Sequence, residues 1–390
     1  MRRKAVDPAV RARHRRWRWV RWCAVGLAAL LLGAAGAGWV AYEKLDSNIT
    51  ADEAAAAELA RYEKERPASL VRGARNILLI GSDSRAGAGN GRYGRDAGTE
   101  RSDTTILLHL AADRRSATAV SLPRDLMVNV PSCGRPDGSR SEAQFTMFNH
   151  AFATGGSACT VRTVEKLTNI RVDHHMVVDF NGFKKMIDAL GGVQVCLRHP
   201  IDDTAARLRL PAGKVTLDGE QALGYVRARK SLGDGSDTER MERQQRFLGA
   251  LVTKVRSNGV LLNPVKLYPV LDAATSALTT DPGLASLRGL YALVRGLGNL
   301  SAEHVRFLTA PRTPYPGDIN RDQLVQPAAD RLFRRLRADQ PVEVTKEVPG
   351  NSVAKTSNTP PGSGPGSREK APSGPTPTFT GNTAAQDACG

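Results

Sequence analysis

An α/β domain whose sheet is covered by helices on both faces, carried behind one membrane-spanning helix, is the architecture that this 390-residue sequence predicts. Three observations lead there. Residues 22–42 hold no charged side chain. Short apolar runs alternate with helical periodicity from about residue 73 to 337, the pattern of strands interleaved with helices. Beyond about Pro341, Pro, Gly, Ser and Thr replace the apolar residues. The chain therefore divides into a basic arm (1–21), a transmembrane anchor (22–42), a stalk (43–72), a catalytic-sized α/β domain (73–337) and a disordered tail (338–390).

The N-terminus sets the compartment. Residues 1–21 hold nine Lys/Arg against Asp7, a net +8 that is half of the formal +16. The run from Trp22 to Tyr42 has Trp22, Trp39 and Tyr42 at its ends, where aromatic residues favour membrane interfaces. Its length suits a bilayer crossing of about 20 residues and exceeds a signal-peptide core of roughly 7–15. The positive-inside rule keeps the arm cytoplasmic and puts everything after Tyr42 outside a cell membrane crossed once. Half of the basic excess thus belongs beside anionic lipid headgroups, and no zinc-ligand spacing or RNA-binding aromatic signature is present, so nucleic acid is not an expected partner. Cys133 and Cys159 flank a turn-rich segment and are candidates for a disulfide in an oxidising compartment, whereas Cys196 in Gly-Val-Gln-Val-Cys-Leu reads as a buried strand residue.

The elements follow in order. Residues 51–66 are rich in helix formers without a strong apolar face and end at Pro67, as a stalk or an extra helix would. Asn76–Ile80 reads as a strand. Thr104–Leu110 and Thr118–Leu122, joined by Asp-Arg-Arg-Ser, read as a hairpin. Helical periodicity recurs at 158–169, 181–190, 218–227, 238–256, 264–276, 283–297 and 321–336, and strand-like runs at 174–179, 192–197 and 304–309.

Polar residues gather at the strand ends. Asp83 follows the first strand, Asp103 precedes the second and Arg124 follows the third. If the second strand runs against its neighbours, all three share one edge. Two carboxylates beside an arginine could hold a Mg²⁺ ion that shares its other positions with substrate phosphates; the plainer reading makes both aspartates turn and cap residues. Residues 217–248 pose a similar choice. Arg227, Arg229 and Lys230 leave one helix, a Gly/Asp-rich loop follows, and Asp237, Arg240, Arg243, Gln244 and Gln245 open the next. Arginine forks suit bidentate contact with phosphate oxygens, and a solvated salt-bridge network is the alternative.

NILLIGSDSR, RSDTTILL, SLPRD, NHAFATGG, VVDFNGFKKMIDALGGV and LDGEQALGYVRARK with DTERMERQQRFL occur here in the order found in the LytR-CpsA-Psr family. The chain is similar to that family over most of residues 75–256 and more weakly to 337, with an actinobacterial flavour to its Ala/Arg/Gly-rich composition. The resemblance implies an α/β/α sandwich with a central mixed sheet and a hydrophobic pocket for a polyprenyl chain. It implies a membrane-anchored phosphotransferase that moves a glycopolymer from a polyprenyl-pyrophosphate carrier onto peptidoglycan. Carried over residue by residue, it makes Asp83 and Asp103 the Mg²⁺-associated acids. Arg101, Arg124, Arg227, Arg229, Arg240 and Gln244 become the pyrophosphate clamp, with Arg124, Asp103 and Asp237 in catalytic roles. Arg243 and Lys230 are expected to support the clamp or face solvent. The loop 86–100 is long and Gly-rich, which loosens the placement of Asp83 against Asp103. A polyprenyl-phosphate-binding regulator without turnover is the alternative from another class, and transcriptional regulator is a label that the family has carried. A cytoplasmic arm of 21 residues is too small for a DNA-binding domain. The seven histidines are scattered and no Ser-His-Asp arrangement is evident.

Overall fold

The structure is a computed structural model and describes residues 8–82, 102–135, 137–204, 206–228, 237–257, 264–298, 300–345 and 378–385. It divides into two compact units, Met1–Asn48 and Ile49–Gly390. The described residues of the first form one helix, α1 (Pro8–Ser47). Its segment Arg21–Ser47 is long and apolar enough to cross a membrane. Leu30, Leu31, Leu32, Trp39 and Val40 are all exposed, so this apolar surface has no protein core of its own and needs another apolar solvent.

The second unit opens with β1 (Thr50–Ala51) and α2 (Glu53–Arg61), followed by β2 (Arg75–Ser82), β3 (Ser102–Leu110) and β4 (Ala117–Leu122). A hairpin of β5 (Met127–Val130) and β6 (Gln144–Met147) leads to α3 (His150–Thr168), β7 (His174–Asp179) and α4 (Phe180–Ala189). The short strands β8 (Val193–Leu197), β9 (Ile201–Asp203), β10 (Leu208–Leu210) and β11 (Gly213–Leu217) precede α5 (Gly219–Arg227), α6 (Asp237–Ser257) and α7 (Pro264–Ser276). Then come β12 (Leu278–Thr280), α8 (Leu287–Gly298), β13 (Val305–Thr309), β14 (Arg312–Tyr315), β15 (Asp318–Leu324), α9 (Ala328–Arg337), β16 (Glu343–Thr345) and β17 (Thr378–Thr383).

Among the described residues nine strands form one mixed sheet in the order β1-β12-β7-β2-β3-β4-β13-β17-β16. Strands β7, β2, β4 and β13 run one way and β3 runs against them. Alternate residues of the central strands enter different cores, as the two-residue period of a strand covered on both faces requires. Leu78, Ile80, Leu107, Val120 and Leu308 pack with α3 and α9 residues such as Val161, Val164, Leu332 and Phe333. Ile77, Ile106, Ala119 and Phe307 pack instead with Leu248 of α6 and Leu293 of α8. A third cluster joins α4, α5 and α6 to β8–β11 through Ile187, Val193, Leu217, Tyr225 and Phe247. The predicted α/β/α sandwich is therefore the observed one.

Four boundaries differ from the sequence expectation. Of the two readings of residues 51–66, the extra helix is the observed one, as α2, and it is no free stalk: β1 pairs with β12 in the main sheet, and Ala55 and Leu59 of α2 are buried in the α3 core. Spaced four apart, they make a stripe too narrow to register as an amphipathic face. Arg66 also buries its guanidinium against Glu165 at 2.8 Å. The C-terminal region is not wholly an unstructured tail, because β16 and β17 extend the sheet beyond β13 and bury Phe379 and Ala384. The helix expected at 321–336 is split, with residues 318–324 pairing as β15 and α9 starting only after Pro327. Helix α3 in turn begins at His150, ahead of the periodic segment. A kink at Gly155 and Gly156, the latter at φ 60°, hides that first turn from a periodicity reading.

Cys133 and Cys159 are joined, tying the segment after β5 to α3 across 26 residues of sequence. Cys196 is buried in β8, as expected, but is also disulfide-bonded. Opening the Cys133–Cys159 loop by a Cys133→Ser, Cys159→Ser double substitution should lower unfolding free energy by about 3–4 kcal/mol through loop entropy. An unchanged denaturant midpoint would contradict this. Asp52 supplies a pH-dependent tie. It caps α2 by accepting the Ala55 amide at 3.0 Å, accepts the Ser157 hydroxyl and faces His175 Nε2 at 3.2 Å. Burial alone would raise its carboxyl; the hydrogen bonds from His175, Ser157 and Ala55 prevail and bring it down to about 2. A carboxyl depressed on folding adds stability above its unfolded pKa of about 3.9, and that stability is lost as pH falls through about 2. Between pH 4 and 2 the wild type should thus lose more stability than Asp52→Asn; superimposable acid-unfolding curves would refute the assignment.

Candidate active site at the carboxyl edge of the sheet

The strand directions build this site. Because β3 opposes its neighbours, its first residues lie beside the last residues of β2 and β4. Register places Ser82 opposite both Ser102 and Asp179, while Leu122 faces Thr105. The C-terminal ends of β7, β2, β4 and β13 and the start of β3 therefore share one edge, as the strand-end pattern predicted.

Arg124 and Asp103 meet there. Arg124 leaves β4 two residues after its end, past Pro123, which cannot continue the ladder. Its Nη1 donates to Asp103 Oδ1 at 2.7 Å and its Nε to Asp125 Oδ2 at 3.3 Å. All three side chains are about one-fifth to one-quarter exposed, at 23%, 24% and 20%. They are thus ordered by the protein yet reachable by a ligand. The backbone is fixed as well: Asn149 N donates to Arg124 O at 3.0 Å, Leu126 N to Pro123 O at 3.2 Å and Phe148 N to Leu126 O at 2.8 Å. Leu126 is fully buried just beyond.

Arg227 reaches the same edge from α5. It is the last residue of that helix, and its guanidinium lies over the Phe180 ring, 4.6 Å from the centroid. Phe180 directly follows the end of β7. Asp179, at that end, caps α4 by accepting Gly182 N at 2.6 Å. Gly182 has a packing reason: a Cβ there would lie 2.5 Å from Ala277 Cβ. The VVDFNGF motif thus provides a helix cap, an aromatic seat for an arginine and a close helix approach.

Helix α6 is held in place by buried polar side chains. Arg240, Arg243, Gln244 and Gln245 are all less than 9% exposed. Arg243 donates to Ala228 O and Gln244 Nε2 to Val226 O at 3.1 Å, satisfying carbonyls at the C-terminus of α5. Burial lowers the pKa of the Arg243 guanidinium, which nevertheless stays cationic because arginine starts so high. Gln245 Nε2 donates to Ser121 Oγ at 3.2 Å and Thr309 Oγ1 at 3.1 Å, near the ends of β4 and β13. Arg240 lies one turn before Gln244 and so on the same side of α6.

The structure accordingly joins Arg124 to Asp103 at this edge and seats Arg227 on Phe180 beside it, while Gln244 is bonded to the backbone of α5 and Arg240 is buried one turn earlier on α6. Asp237 opens α6, and its side chain lies outside the described residues. Asp83, Arg101, Arg229 and Lys230 also lie outside them; Asp83 and Arg101 are the chain neighbours of Ser82 and Ser102, which face each other across β2 and β3. Among the described residues no group of three or more His, Cys, Asp or Glu is placed to hold a metal ion. The donor type at the edge, carboxylate oxygen, does suit Mg²⁺, and Asp103 is its described representative. Phe180 is not among the site residues expected from sequence, and Gln245, part of the 217–248 cluster, is not among the residues of the expected clamp. Phe180 had one available signal, an aromatic residue directly after a strand that ends at the shared edge.

The LytR_cpsA_psr family matches residues 45–337. The cell wall biosynthesis protein LcpA of Corynebacterium glutamicum is 33% identical over 317 residues, covering 75% of this chain and 59% of that protein. The probable cell wall biosynthesis protein LcpB of the same organism is 38% identical over 53% of this chain and 48% of its own length, so the chain spans about half to three-fifths of these relatives. The polyisoprenyl-teichoic acid–peptidoglycan teichoic acid transferase TagT of Bacillus subtilis is 30% identical over 73% of this chain and 84% of TagT. Among solved structures, TagT bound to LI-WTA superposes with a TM-score of 0.53 at 26% identity, over 70% of this chain and 96% of that one. The LytR-Csp2A-Psr enzyme from Actinomyces oris shares the fold with a TM-score of 0.55 at 23% identity, over 70% and 93%. On the extent of that match and the shared fold, the chain belongs to the LytR-CpsA-Psr family.

Proposed function

We propose that this chain is a membrane-anchored transferase that moves a glycopolymer from a polyprenyl-pyrophosphate carrier onto peptidoglycan. The observation that carries the reading is the Arg124–Asp103 pair, set at the sheet edge where Arg227 and the polar face of α6 converge. The relatives' names as peptidoglycan teichoic acid transferases supply the reaction class.

A pyrophosphate suits this edge because arginine forks bind phosphate oxygens in pairs and remain charged at every relevant pH. In the reaction, a peptidoglycan hydroxyl oxygen forms a bond to the sugar-linked phosphorus. The phosphoanhydride bond to the carrier breaks, and polyprenyl phosphate leaves with the electron pair. That leaving group is acidic, so no strong general acid is needed, and catalysis is chiefly positioning and charge stabilisation. Arg124, held by Asp103 and Asp125, orients the phosphates; Arg227, seated on Phe180, and Arg240 oppose their charge. Arg101 and Arg229 complete the proposed clamp, Gln244, expected from the resemblance to join it, instead braces the end of α5 through Val226 O, and Asp103 or Asp237 receives the acceptor proton. Asp83 and Asp103 would hold Mg²⁺, which when bound neutralises phosphate charge.

The lipid has a place in the same scheme. Only Thr275 is buried among the described side chains of α7, and Tyr291 and Val294 of α8 are exposed, so these apolar helices are incompletely packed. They would flank the polyprenyl chain. A donor confined to the membrane favours an enzyme anchored beside it, as α1 would provide. The basic arm supports a cytoplasmic N-terminus, and the Cys133–Cys159 disulfide supports an oxidising compartment for the domain.

Purified protein supplied with a polyprenyl-pyrophosphate saccharide and peptidoglycan should release polyprenyl phosphate and form the covalent polymer, both read by mass spectrometry. Arg124→Ala and Arg227→Ala should each lower kcat/KM about 10²–10³-fold. Unchanged rates would overturn the clamp, and tight lipid binding without product would make the protein a sensor of carrier lipid. Chelation should abolish turnover and Mg²⁺ restore it; turnover insensitive to chelation would remove the metal from the scheme.

A further inference from the structure

Two hairpins hang from the dipeptide that carries the central arginine. β5 starts two residues after Asp125, and its partner β6 runs into Asn149, whose N–H donates to Arg124 O at 3.0 Å. From the other hairpin, Asp322 N donates to Asp125 O at 3.1 Å, and Leu126 forms a bridge with Asp322. An aromatic contact joins the hairpins above these ties. The Phe145 and Tyr315 rings lie 6.0 Å apart, inclined by 56°. Phe145 is nonetheless 52% exposed, and Ile319, just past the turn that follows Tyr315, is 83% exposed. Asn129, directly opposite Phe145 in the register, and Gln144 beside it are exposed as well.

We propose that this platform is the subsite for the acceptor glycan strand of peptidoglycan; the assignment rests on the transferase reading above. Aromatic rings bordered by carboxamides are ill suited to phosphate, which is served by the arginines. They suit a pyranose, whose C–H faces stack on π-clouds while its hydroxyls meet amide donors and acceptors. Both hairpins pack on the α3 side of the sheet, through Val128, Val130 and Leu324. Helix α6 and the incompletely packed α8 belong to the other side of the site, and α7 packs on α4 of the same side. Attack at phosphorus is in line, with nucleophile and leaving group on opposite sides. Polyprenyl phosphate departing towards α6–α8 therefore requires the acceptor hydroxyl to arrive from the hairpins. This places the acceptor, rather than the donor's saccharide, over Phe145 and Tyr315.

The full chain in lipid nanodiscs can be titrated with uncross-linked peptidoglycan glycan strands and, separately, with polyprenyl pyrophosphate. A Phe145→Ala, Tyr315→Ala double variant should bind glycan strands about tenfold more weakly, as the loss of stacking faces implies, with lipid affinity unchanged. Phe145→Tyr, which keeps the ring, should bind strands as the wild type does. In the transfer assay the double variant should raise KM for the acceptor and leave KM for the donor alone. The proposal is overturned if wild type binds no glycan strands, or if the double variant binds them normally. It is equally overturned if donor KM rises in step, or if the substitutions instead dissociate a dimer in sedimentation. Strand binding that needs the rings, without any transfer, would remove the enzymatic reading and leave the platform standing.

Discussion

The site depends on one ion pair, Arg124 with Asp103, which fastens the exit of β4 to the start of β3 at the edge of the sheet. Solvent-accessible pairs contribute little to stability, roughly 0–1 kcal/mol, so holding the fold together is not its main consequence. Its consequence is positional. The guanidinium that it orients belongs to the same dipeptide whose carbonyls receive Asn149 and Asp322. Strand ends, the β5–β6 hairpin and the β14–β15 hairpin thereby share one reference point.

The other half of the site is positioned from the opposite side by buried polar groups. Such groups are costly unless satisfied, which makes them specific. Gln245 can satisfy its amide on Ser121 and Thr309 only if α6 lies across the ends of β4 and β13. Arg243 and Gln244 reach Ala228 and Val226 only if α5 ends beside α6. These contacts set the register of α6 against the sheet and hold the end of α5, with Arg227, beside it. Residues adjacent in sequence to the proposed clamp thus serve as its mount.

Much of this was legible in the sequence, for identifiable reasons. The central strands are short apolar runs with turn residues at both ends, and their polar termini marked the shared edge before any pairing was known. Helices α4, α5, α6 and α7 repeat apolar residues at the helical period and were located within a residue or two. What escaped notice depends on distant partners. Strand β1 has two residues and exists because β12 lies beside it; β17 forms because β13 has a free edge. The roles of Gln245 and Phe180 rest on contacts 124 residues away in one case and with a helix end in the other. Local pattern carries no record of such contacts. Gln244 and Gln245 are adjacent and alike in sequence; only the packed helix distinguishes an amide spent on α5 from one spent on the strand ends.

The central claim is that Arg124 and Asp103 act as one unit on the pyrophosphate. A double-mutant cycle on kcat/KM with Arg124→Lys, Asp103→Asn and the combined variant tests it directly. Removal of a shared interaction predicts strong non-additivity, with a coupling of about 1–3 kcal/mol and a combined variant scarcely worse than the poorer single one. Losses that simply add would show that the two residues work independently and would contradict the account.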